Sequence, residues 1–584
     1  MCGIFAYLKK ATDVKSNNVL PDKSDIEKGL SNGKNRGPEE SKIYENDDIF
    51  LGFHRLAING LDKESSQPLS HNNIKLVCNG EIYNYKQLSE KLKYDVSGFN
   101  LNTNSDCEII LHLYEKFGIK TTLKLLDGVF GFVLYDYRDE SNIKVFAARD
   151  PYGVRPLYKL KLNQSVIGFS SVMKMLSPLM KNSNYNLTQF TPGTYTEMNF
   201  STKYNKWFYC NNTKYINMPI SRELPSEFYN ADDKIKFIEK LQNESLEGIR
   251  NSFINGVKKR VENTDRPIAC LLSGGLDSSI VTSIVNKFYK QKGIGKLETY
   301  SIGIKGGEDL KYAKIVAEFL DTKHTEIELT ERDFLDAIPE VVNAIESYDT
   351  TTVRASVGNY LIAKYISNNS KAKVIFNGDG SDELMGGYLY FHNTPNSIEF
   401  DNESRRLLEN IHYFDGLRSD RSISCHGLEP RTPFLDRFWV QHYLSLPLEV
   451  RHHSYTKKCE KYLFRLAFDV KNSNGIPEYL PNEILWRTKE AFSDGVSKQT
   501  RSWYEIINEF VTTKIDKEIQ NKLNNMEQKK HNNPETLEQK YYRYLYLEKF
   551  RGCDTAIPYF WMPKYSNATD SSARTLKIYN NVMK

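Results

Sequence analysis

The alternation of hydrophobic and polar positions differs between the two halves of the chain. Over residues 2–205, short apolar runs are separated by turns, and only two stretches have helical periodicity. Many strands with few crossover helices are typical of packed antiparallel sheets. The predicted strands are Gly3–Leu8, Ile49–Leu56, Lys75–Cys78, Gly131–Asp136 and Lys144–Asp150, and the predicted helices are Tyr85–Leu92 and Asp106–Phe117.

Strands alternate with helices in the second half, which is typical of a doubly wound parallel sheet. The region from Glu403 to about Phe550 is predicted to be mostly helical. The predicted strands are Pro267–Leu272, Leu297–Ile304, His324–Leu329 and Lys373–Phe376, and the predicted helices before Glu403 include Asp233–Arg260, Ser278–Tyr289 and Glu308–Leu320.

We therefore predict two domains, because 584 residues are too many for a single core. Residues 2–205 are expected to form an α+β sandwich of antiparallel sheets with flanking helices. Residues 206–235, which are polar and contain several Asn and Pro, are expected to be a linker. Residues 236–565 are expected to form an α/β domain with a helical C-terminal part, and residues 566–584 a polar tail.

Composition excludes several classes of protein. The 79 basic and 74 acidic residues are spread along the chain, and the net charge of +5 does not favour nucleic acid or a membrane surface as a partner. The eight cysteines are scattered without metal-ligand spacing, which favours free thiols in a reducing compartment. Neither a signal sequence nor a long apolar run is present. We expect a soluble, cytosolic protein.

Cys2 becomes the amino-terminal residue if Met1 is removed, which a small second residue permits. That residue would carry both a thiol and a free α-amine. The amine has an ordinary pKa of about 7.7–8.0 and can take the thiol proton near neutral pH. By itself the position is a weak indication, because a second-position cysteine is usually just the start of a strand.

A glycine-rich turn follows the predicted strand Pro267–Leu272. The segment Ser273–Ser279 reads Ser-Gly-Gly-Leu-Asp-Ser-Ser and enters a helix. Such a turn offers backbone N–H groups and the positive end of the helix dipole to a phosphate. Asp277 would repel bare phosphate, so we expect Mg²⁺ between them. The Gly-Lys-Ser/Thr of a Walker loop is absent from the sequence.

An acidic turn follows the predicted strand Lys373–Phe376. The segment Asn377–Glu383 places three carboxylates among glycines, at the sheet edge where open α/β sheets bind ligands. Such charges repel one another unless a cation or a proton-transfer role offsets them. Alone, this turn is equally compatible with a solvated loop.

Together these segments resemble the glutamine-hydrolysing asparagine synthetases, in which a class II glutamine amidotransferase domain precedes a PP-loop ATP pyrophosphatase domain. The resemblance covers nearly the whole chain. The matching N-terminal motifs are Asn35–Pro38, His54–Ile58, Asn79–Asn84, Ser105–Glu108 and Asp150–Tyr158. The matching motifs of the second half are Ser347–Asp349, Thr351–Ser356, Asn377–Tyr388, Asp415–Arg418, Arg431–Asp436 and Trp486–Gly495.

In the N-terminal domain, the resemblance implies that Cys2 attacks the side-chain amide of glutamine and releases ammonia. The implied oxyanion hole consists of the Asn79 side chain and the Gly80 N–H group. Arg55 would pair with the glutamine carboxylate, although it could also be a surface cation. The residues implied to bind glutamine are Arg55, Ile58, Asn79, Glu81 and Asp106, and Asp106 could also be a helix N-cap.

In the second domain, the resemblance implies adenylation of aspartate by ATP, release of pyrophosphate and displacement of AMP by ammonia. Asp277 and Asp382 would hold Mg²⁺, Lys489 would stabilise charge on the α-phosphate, and Asp379 would take the proton of attacking ammonia. The residues implied to bind ATP are Leu271, Ser273, Gly274, Gly275, Asp277, Ser278, Ile302 and Gly378. The residues implied to bind aspartate or the intermediate are Thr351, Arg354 and Arg418.

Two alternatives to asparagine synthesis remain open at this stage. A related ATP-dependent amide-forming enzyme could use a different carboxylate acceptor. A non-catalytic relative could serve as a scaffold or a metabolite-binding subunit. Asp379 stands where many relatives have Glu, and its shorter side chain leaves its reach to the intermediate open. The resemblance also implies an internal ammonia channel between the domains and a possible homodimer.

Overall fold

The computed structural model describes residues 2–10, 20–95, 98–225, 231–488, 496–497, 501–526 and 530–576. Its N-terminal half contains two antiparallel sheets, as the sequence predicts. The strands are β1 (Gly3–Leu8), β2 (Glu40–Glu45), β3 (Ile49–Arg55), β4 (Leu69–His71), β5 (Ile74–Ile82), β6 (Gly128–Asp136), β7 (Lys144–Arg149), β8 (Tyr158–Leu162), β9 (Ser165–Ser170), β10 (Tyr185–Gln189), β11 (Thr194–Ser201), β12 (Lys206–Tyr209) and β13 (Thr213–Lys214).

The two sheets pack face to face. One has six strands in the order β10-β8-β9-β1-β3-β2, and the other contains β12-β11-β7-β6-β5-β4 with β13 paired to β11. Side chains of both sheets, such as Phe5 and Val133, share one buried core. The flanking helices are α1 (Lys23–Ser31), α2 (Tyr85–Asp95), α3 (Ile109–Leu125) and α4 (Met173–Leu176).

Two differences from the sequence prediction affect the site. The strand predicted at Lys75–Cys78 continues through Asn79 to Ile82, because polar residues here are buried and paired with β6. The helix predicted at Asp106–Phe117 begins as a short 3₁₀ turn, Asp106–Glu108, before α3. Within α3, Gly118 has a φ of 71° and interrupts the helix, which then continues to Leu125.

The second half contains the expected parallel sheet. Its five strands are β14 (Ile268–Leu271), β15 (Glu298–Ile304), β16 (Lys323–Leu329), β17 (Val374–Phe376) and β18 (Glu429–Arg431), in the spatial order β16-β15-β14-β17-β18. The chain runs outwards from β14 to β16 and then returns to the other side of β14. This reversal leaves a crevice between the carboxyl ends of β14 and β17, where ligands of such sheets bind.

Helices surround this sheet and form most of the C-terminal part, as predicted. The helices are α5 (Ala231–Glu262), α6 (Leu276–Gln291), α7 (Glu308–Leu320), α8 (Glu331–Ile345), α9 (Thr350–Asn369), α10 (Ser381–Met385), α11 (Ser397–Asn410), α12 (Asp415–Ser424), α13 (Arg437–Ser445), α14 (Leu448–Arg451), α15 (Tyr462–Phe468), α16 (Asn482–Leu485), α17 (Trp503–Glu509), α18 (Lys517–Asn524) and α19 (Leu537–Lys549).

The ends of the predicted domains are more ordered than their polar composition suggests. Strands β12 and β13 extend the sheet into the segment expected to be a linker. In the expected polar tail, Asp570 pairs with the buried Arg354 of α9, and Leu576 is buried. Within the described residues, no helix is both long enough and apolar enough to cross a bilayer.

Candidate active sites

Cys2 lies between the two N-terminal sheets, immediately before β1. Its backbone N donates to Asn79 Oδ1 on β5 of the opposite sheet at 3.0 Å, and its Sγ lies 3.7 Å from the Leu56 carbonyl oxygen, just after β3. Removal from water raises the pKa of the Cys2 thiol. Thiolate formation here therefore needs a base, and the α-amine that processing would expose belongs to the same residue.

Asn79 has a side-chain arrangement suited to an oxyanion hole. Its side chain is fully buried, and Oδ1 accepts the hydrogen bond from Cys2. Its Nδ2 has no hydrogen-bond partner among the described residues. A buried donor without an acceptor is costly, and this one belongs to an amide held beside the nucleophile. The next residue is glycine because a Cβ at Gly80 would lie 2.7 Å from the Val129 carbonyl oxygen on β6.

Glu81 and Asp106 form a buried acidic pair. Asn263 Nδ2, from the end of α5, donates to Glu81 Oε2 at 2.9 Å and to Asp106 Oδ2 at 3.3 Å. Burial raises the pKa of Asp106 to about 6. Burial, together with the charges of Glu429 and Asp106, raises the pKa of Glu81 well above its usual range. Two buried carboxyls that lack a full counter-charge can receive an ammonium group.

Arg55 is the last residue of β3, and Ile58 follows three residues later. Arg55 is buried, donates to the Gly60 carbonyl oxygen and lies 3.6 Å from Glu40 Oε2. Ile58 packs in the core that joins the two domains, and its carbonyl oxygen accepts from Asp265 N at 2.9 Å. Arg55 is therefore held mainly by its hydrogen bond to a backbone oxygen, because its distance to the Glu40 carboxylate is long for an ion pair.

A buried ionic network connects this site to the second domain. Arg431 of β18 lies 3.2 Å from Glu81 Oε2 and 2.9 Å from Glu429, and Arg155 lies 3.3 Å from the other oxygen of Glu429. Although burial alone would raise the pKa of Glu429, nearby positive charges, including Arg155 and Arg431, hold it well below its usual value. Sequence reasoning missed this network because its members come from distant segments.

Arg36 makes a second connection between the domains. Its Nε donates to the Cys2 carbonyl oxygen at 3.2 Å, and its Nη1 and Nη2 donate to Asp420 of α12 at 2.7 and 3.1 Å. Two residues earlier on α12, Arg418 Nη2 donates to Asp379 at 2.7 Å. One short helix thus contacts both candidate sites.

The glycine-rich turn lies at the carboxyl end of β14, as predicted. Gly274 has a φ of 73°, and a Cβ there would lie 2.4 Å from Ala313 N, so only glycine fits. Ser273 Oγ and Ser278 Oγ are 3.0 Å apart. Arg487 Nη1 donates to the Gly274 carbonyl oxygen at 3.2 Å, which brings a cation to the turn. Sequence reasoning did not identify Arg487.

A cleft opens between β14 and β17. It brings together most of the residues that the resemblance implied for ATP, aspartate and Mg²⁺. The lining includes Leu271, Ser273, Asp277, Ser278, Ile302, Thr351, Gly378, Asp379, Asp382 and Arg418. Gly275 lines an adjoining cleft with Arg487 and Thr488.

Lys461 lies at the second candidate site, and sequence reasoning missed it. Its buried Nζ lies 2.6 Å from Asp277 Oδ2 and 2.6 Å from Asp382 Oδ1. The two carboxylates implied for Mg²⁺ therefore converge on one positive charge. Their hard oxygen donors fit Mg²⁺ together with phosphate. Lys461 meets Asp277 and Asp382 only through tertiary packing, and the sequence around Lys461 contains no motif that indicates a site.

The acidic turn also places Asp379 and Glu383 in the cleft. Arg418 Nη2 lies 2.7 Å from Asp379 Oδ1 and 2.8 Å from Asp415 Oδ1. Burial, followed by the charges of Asp415 and Asp382, raises the pKa of Glu383 well above its usual range. Tyr388 Oη donates to Glu383 Oε1 at 2.5 Å. Asp379 is thus held by a guanidinium at the edge of the cleft.

Arg354 does not line this cleft. Arg354 of α9 is buried in ion pairs with Glu538 of α19 at 2.6 Å and Asp570 at 2.7 Å. Its neighbour Ala355 lines the cleft instead. Arg354 therefore connects α9 to the C-terminal segment, and its implied role towards aspartate or the intermediate stays a prediction. Lys489 lies outside the described residues.

Comparison with known proteins assigns a family to each half of the chain. A glutamine amidotransferase domain model matches residues 1–218, and an asparagine synthase model matches residues 248–404 and 394–551. Glutamine-hydrolysing asparagine synthetases of Gallus gallus and Homo sapiens are each 39% identical, over 567 and 569 residues respectively. Each alignment covers 94% of this chain and 95% of the relative. The chain therefore belongs to the family of glutamine-hydrolysing asparagine synthetases.

Proposed function

We propose that the chain makes asparagine from aspartate, ATP and glutamine. The observation that carries this proposal is the combination of two complementary sites in one chain. At the first site, the Cys2 thiol lies beside Asn79 Nδ2, a donor without a partner among the described residues. At the second site, a cleft opens at the carboxyl ends of β14 and β17, where nucleotides bind in such sheets. The first can liberate nitrogen from an amide, and the second can activate a carboxylate to receive it.

At the first site, Cys2 Sγ attacks the side-chain carbonyl carbon of glutamine, and the α-amine of Cys2 accepts the thiol proton. Asn79 Nδ2 and the Gly80 N–H group stabilise the negative oxygen of the tetrahedral intermediate. Glu81 and Asp106 bind the α-ammonium group, and Arg55 binds the α-carboxylate. Ammonia leaves, and water hydrolyses the resulting thioester to glutamate.

At the second site, the side-chain carboxylate of aspartate attacks the α-phosphorus of ATP, and pyrophosphate leaves. Ammonia then attacks the β-aspartyl-AMP carbonyl carbon, AMP leaves and Asp379 accepts a proton. Arg418 and Thr351 orient the aspartate, and Lys489 remains the residue we assign to the α-phosphate. Asp277 and Asp382 would hold Mg²⁺, which neutralises phosphate charge when bound.

Lys461 adds a role within this scheme. It balances the two carboxylates, and it lines the same small cleft beside the glycine-rich turn as Ser273 and Arg487. Arg487 also donates to the Gly274 carbonyl oxygen of that turn. We assign both residues to charge neutralisation of the departing pyrophosphate. We also propose that the chain acts in the cytosol, since all eight cysteines are free thiols.

Product identification tests the function directly. The enzyme is supplied with amide-¹⁵N glutamine, ATP and aspartate, and we expect ¹⁵N-asparagine, glutamate, AMP and pyrophosphate in equal amounts. Amidation of another acid in preference to aspartate would support the alternative amide-forming enzyme. The absence of detectable product in every assay would support a non-catalytic relative.

Cys2→Ala is the matched variant for this experiment. It removes the nucleophile but leaves the second site intact, so glutamine use should disappear while asparagine synthesis from ammonium continues. Normal glutamine consumption by Cys2→Ala would refute the assignment of the nucleophile.

A further inference from the structure

Two histidines and a glutamate meet on the outer side of the N-terminal sandwich. His71 is the last residue of β4, while His112 and Glu115 are one turn apart on α3. One potential ligand atom from each residue lies within 4.8 Å of those of the other two. We propose that His71, His112 and Glu115 bind a Zn²⁺ ion that fastens the β4–β5 hairpin to α3.

The ligand types indicate zinc more than other common ions. Two imidazoles with one carboxylate and a solvent molecule complete a four-coordinate site of the kind that Zn²⁺ adopts. Mg²⁺ and Ca²⁺ prefer oxygen ligands, so a pair of imidazoles disfavours them. His71 and Glu115 keep 23% and 30% of their side-chain surface exposed, which gives an ion a route of entry.

A second carboxylate orients one of these histidines. His112 Nε2 lies 3.0 Å from Glu108 Oε1. Glu108 is itself fixed by Asn102 N, Thr103 N and Thr103 Oγ1, each at 2.7 Å. Such a carboxylate accepts the N–H of a metal-binding imidazole and leaves Nδ1 as the ligand atom.

The remaining contacts permit an ion to enter. His71 Nε2 and Glu115 Oε2 are 2.9 Å apart, and Asn72 Nδ2 lies 2.9 Å from Glu115 Oε1. Arg138 Nη1 is 3.9 Å from Glu115, but its Nη2 is 2.7 Å from Asp136. Zn²⁺ would replace the direct His71–Glu115 hydrogen bond with two coordination bonds. The alternative is that the His71–Glu115 hydrogen bond persists and that no ion binds.

The site is expected to stabilise the domain and to take no part in either reaction. The turn that carries Asp106 leads directly into α3, so a bound Zn²⁺ ion would also stabilise the start of this helix. An ion that binds only the folded state raises stability according to its concentration relative to its Kd. Zinc should therefore raise the Tm of the first domain.

The test uses the full-length Cys2→Ala protein, which removes the thiol assigned as the nucleophile as a competing ligand. After chelator treatment, Zn²⁺ affinity is measured by competition with a chromophoric chelator, and zinc-edge X-ray absorption identifies the ligands. His71→Gln and Glu115→Gln each remove one half-buried ligand, and the zinc-free Tm of each variant reports whether the fold is kept. His442→Gln on α13 serves as a matched histidine control in the other domain.

We expect one tight Zn²⁺ equivalent with nitrogen and oxygen ligands that include imidazole. His71→Gln and Glu115→Gln should lose that equivalent and the Tm increase, whereas His442→Gln should keep both. Glu108→Gln should weaken binding by about 10–100-fold, as expected for a residue that orients a ligand. Unchanged affinity in His71→Gln and Glu115→Gln, sulfur ligation, or binding only at millimolar zinc would overturn the proposal.

Discussion

The two candidate active sites are built in different ways. The glutaminase groups lie on or next to paired strands inside a sandwich, and a hydrogen bond joins Cys2 to Asn79. The synthetase groups lie on turns and in the first turns of helices at a sheet edge, where Lys461 contacts both Asp277 and Asp382. Nucleophilic attack depends on fixed geometry, whereas a phosphate site depends on a balance of charges that its ligand completes.

We therefore expect the largest effect from a substitution that removes a charge at the synthetase site. Asp277→Asn should reduce aspartate-dependent pyrophosphate release to background, because Lys461 loses one partner and Mg²⁺ loses one ligand. Glutamine hydrolysis should continue, because Cys2 and Asn79 are untouched. The measurement is a coupled pyrophosphate assay beside a glutamate assay.

Asp336→Asn, an exposed change on α8, is the control for the loss of one acidic residue and should leave both rates unchanged. Pyrophosphate release at the normal rate by Asp277→Asn would contradict the metal role of Asp277. Loss of glutamine hydrolysis in Asp277→Asn would show that the glutaminase site also depends on Asp277.

At the glutaminase site, a lost hydrogen-bond donor should be the next largest effect. Asn79→Ala removes the unpartnered Nδ2, and turnover of glutamine should fall by about 10²–10³-fold, as expected for one oxyanion-hole donor. Synthesis from ammonium should not change. Steady-state kinetics with each nitrogen source separate the two results, and a normal glutamine turnover would exclude Asn79 from the oxyanion hole.

Local structure was largely predictable from the sequence, since β1 and α7 have the predicted bounds. The glycine-rich and acidic turns were also placed correctly at the sheet edge, because a strand followed by such a turn is a local signal. Lys461, Asn263 and Glu429 were not predictable, because each reaches its site only through tertiary packing. Arg354 shows the opposite case: its motif suggested the cleft, but Glu538 and Asp570 hold it elsewhere.

Acidic pH should weaken glutamine binding. Burial raises the pKa of Asp106 to about 6, and a protonated carboxyl no longer attracts the ammonium group of glutamine. Below that pH, the Kd should rise by about tenfold for each pH unit. Direct binding to Cys2→Ala measures this without hydrolysis. Asp106→Asn should bind weakly with a shallower profile, and a constant Kd between about pH 5 and 7 would contradict the role of Asp106.

The smallest effect is expected where the two sites meet. Asp420→Asn keeps the shape of the side chain but weakens its hold on Arg36, which contacts the Cys2 carbonyl oxygen. A misplaced nucleophile should lower glutamine kcat by about three- to tenfold, equivalent to about 1 kcal/mol, with little change in KM. Asp420→Glu should restore part of the loss. An equal decrease in ammonium-dependent synthesis would mean that α12 as a whole had moved, because Arg418 on the same helix holds Asp379. A decrease confined to glutamine would instead mean that contacts from the second domain help to fix the geometry of the first site.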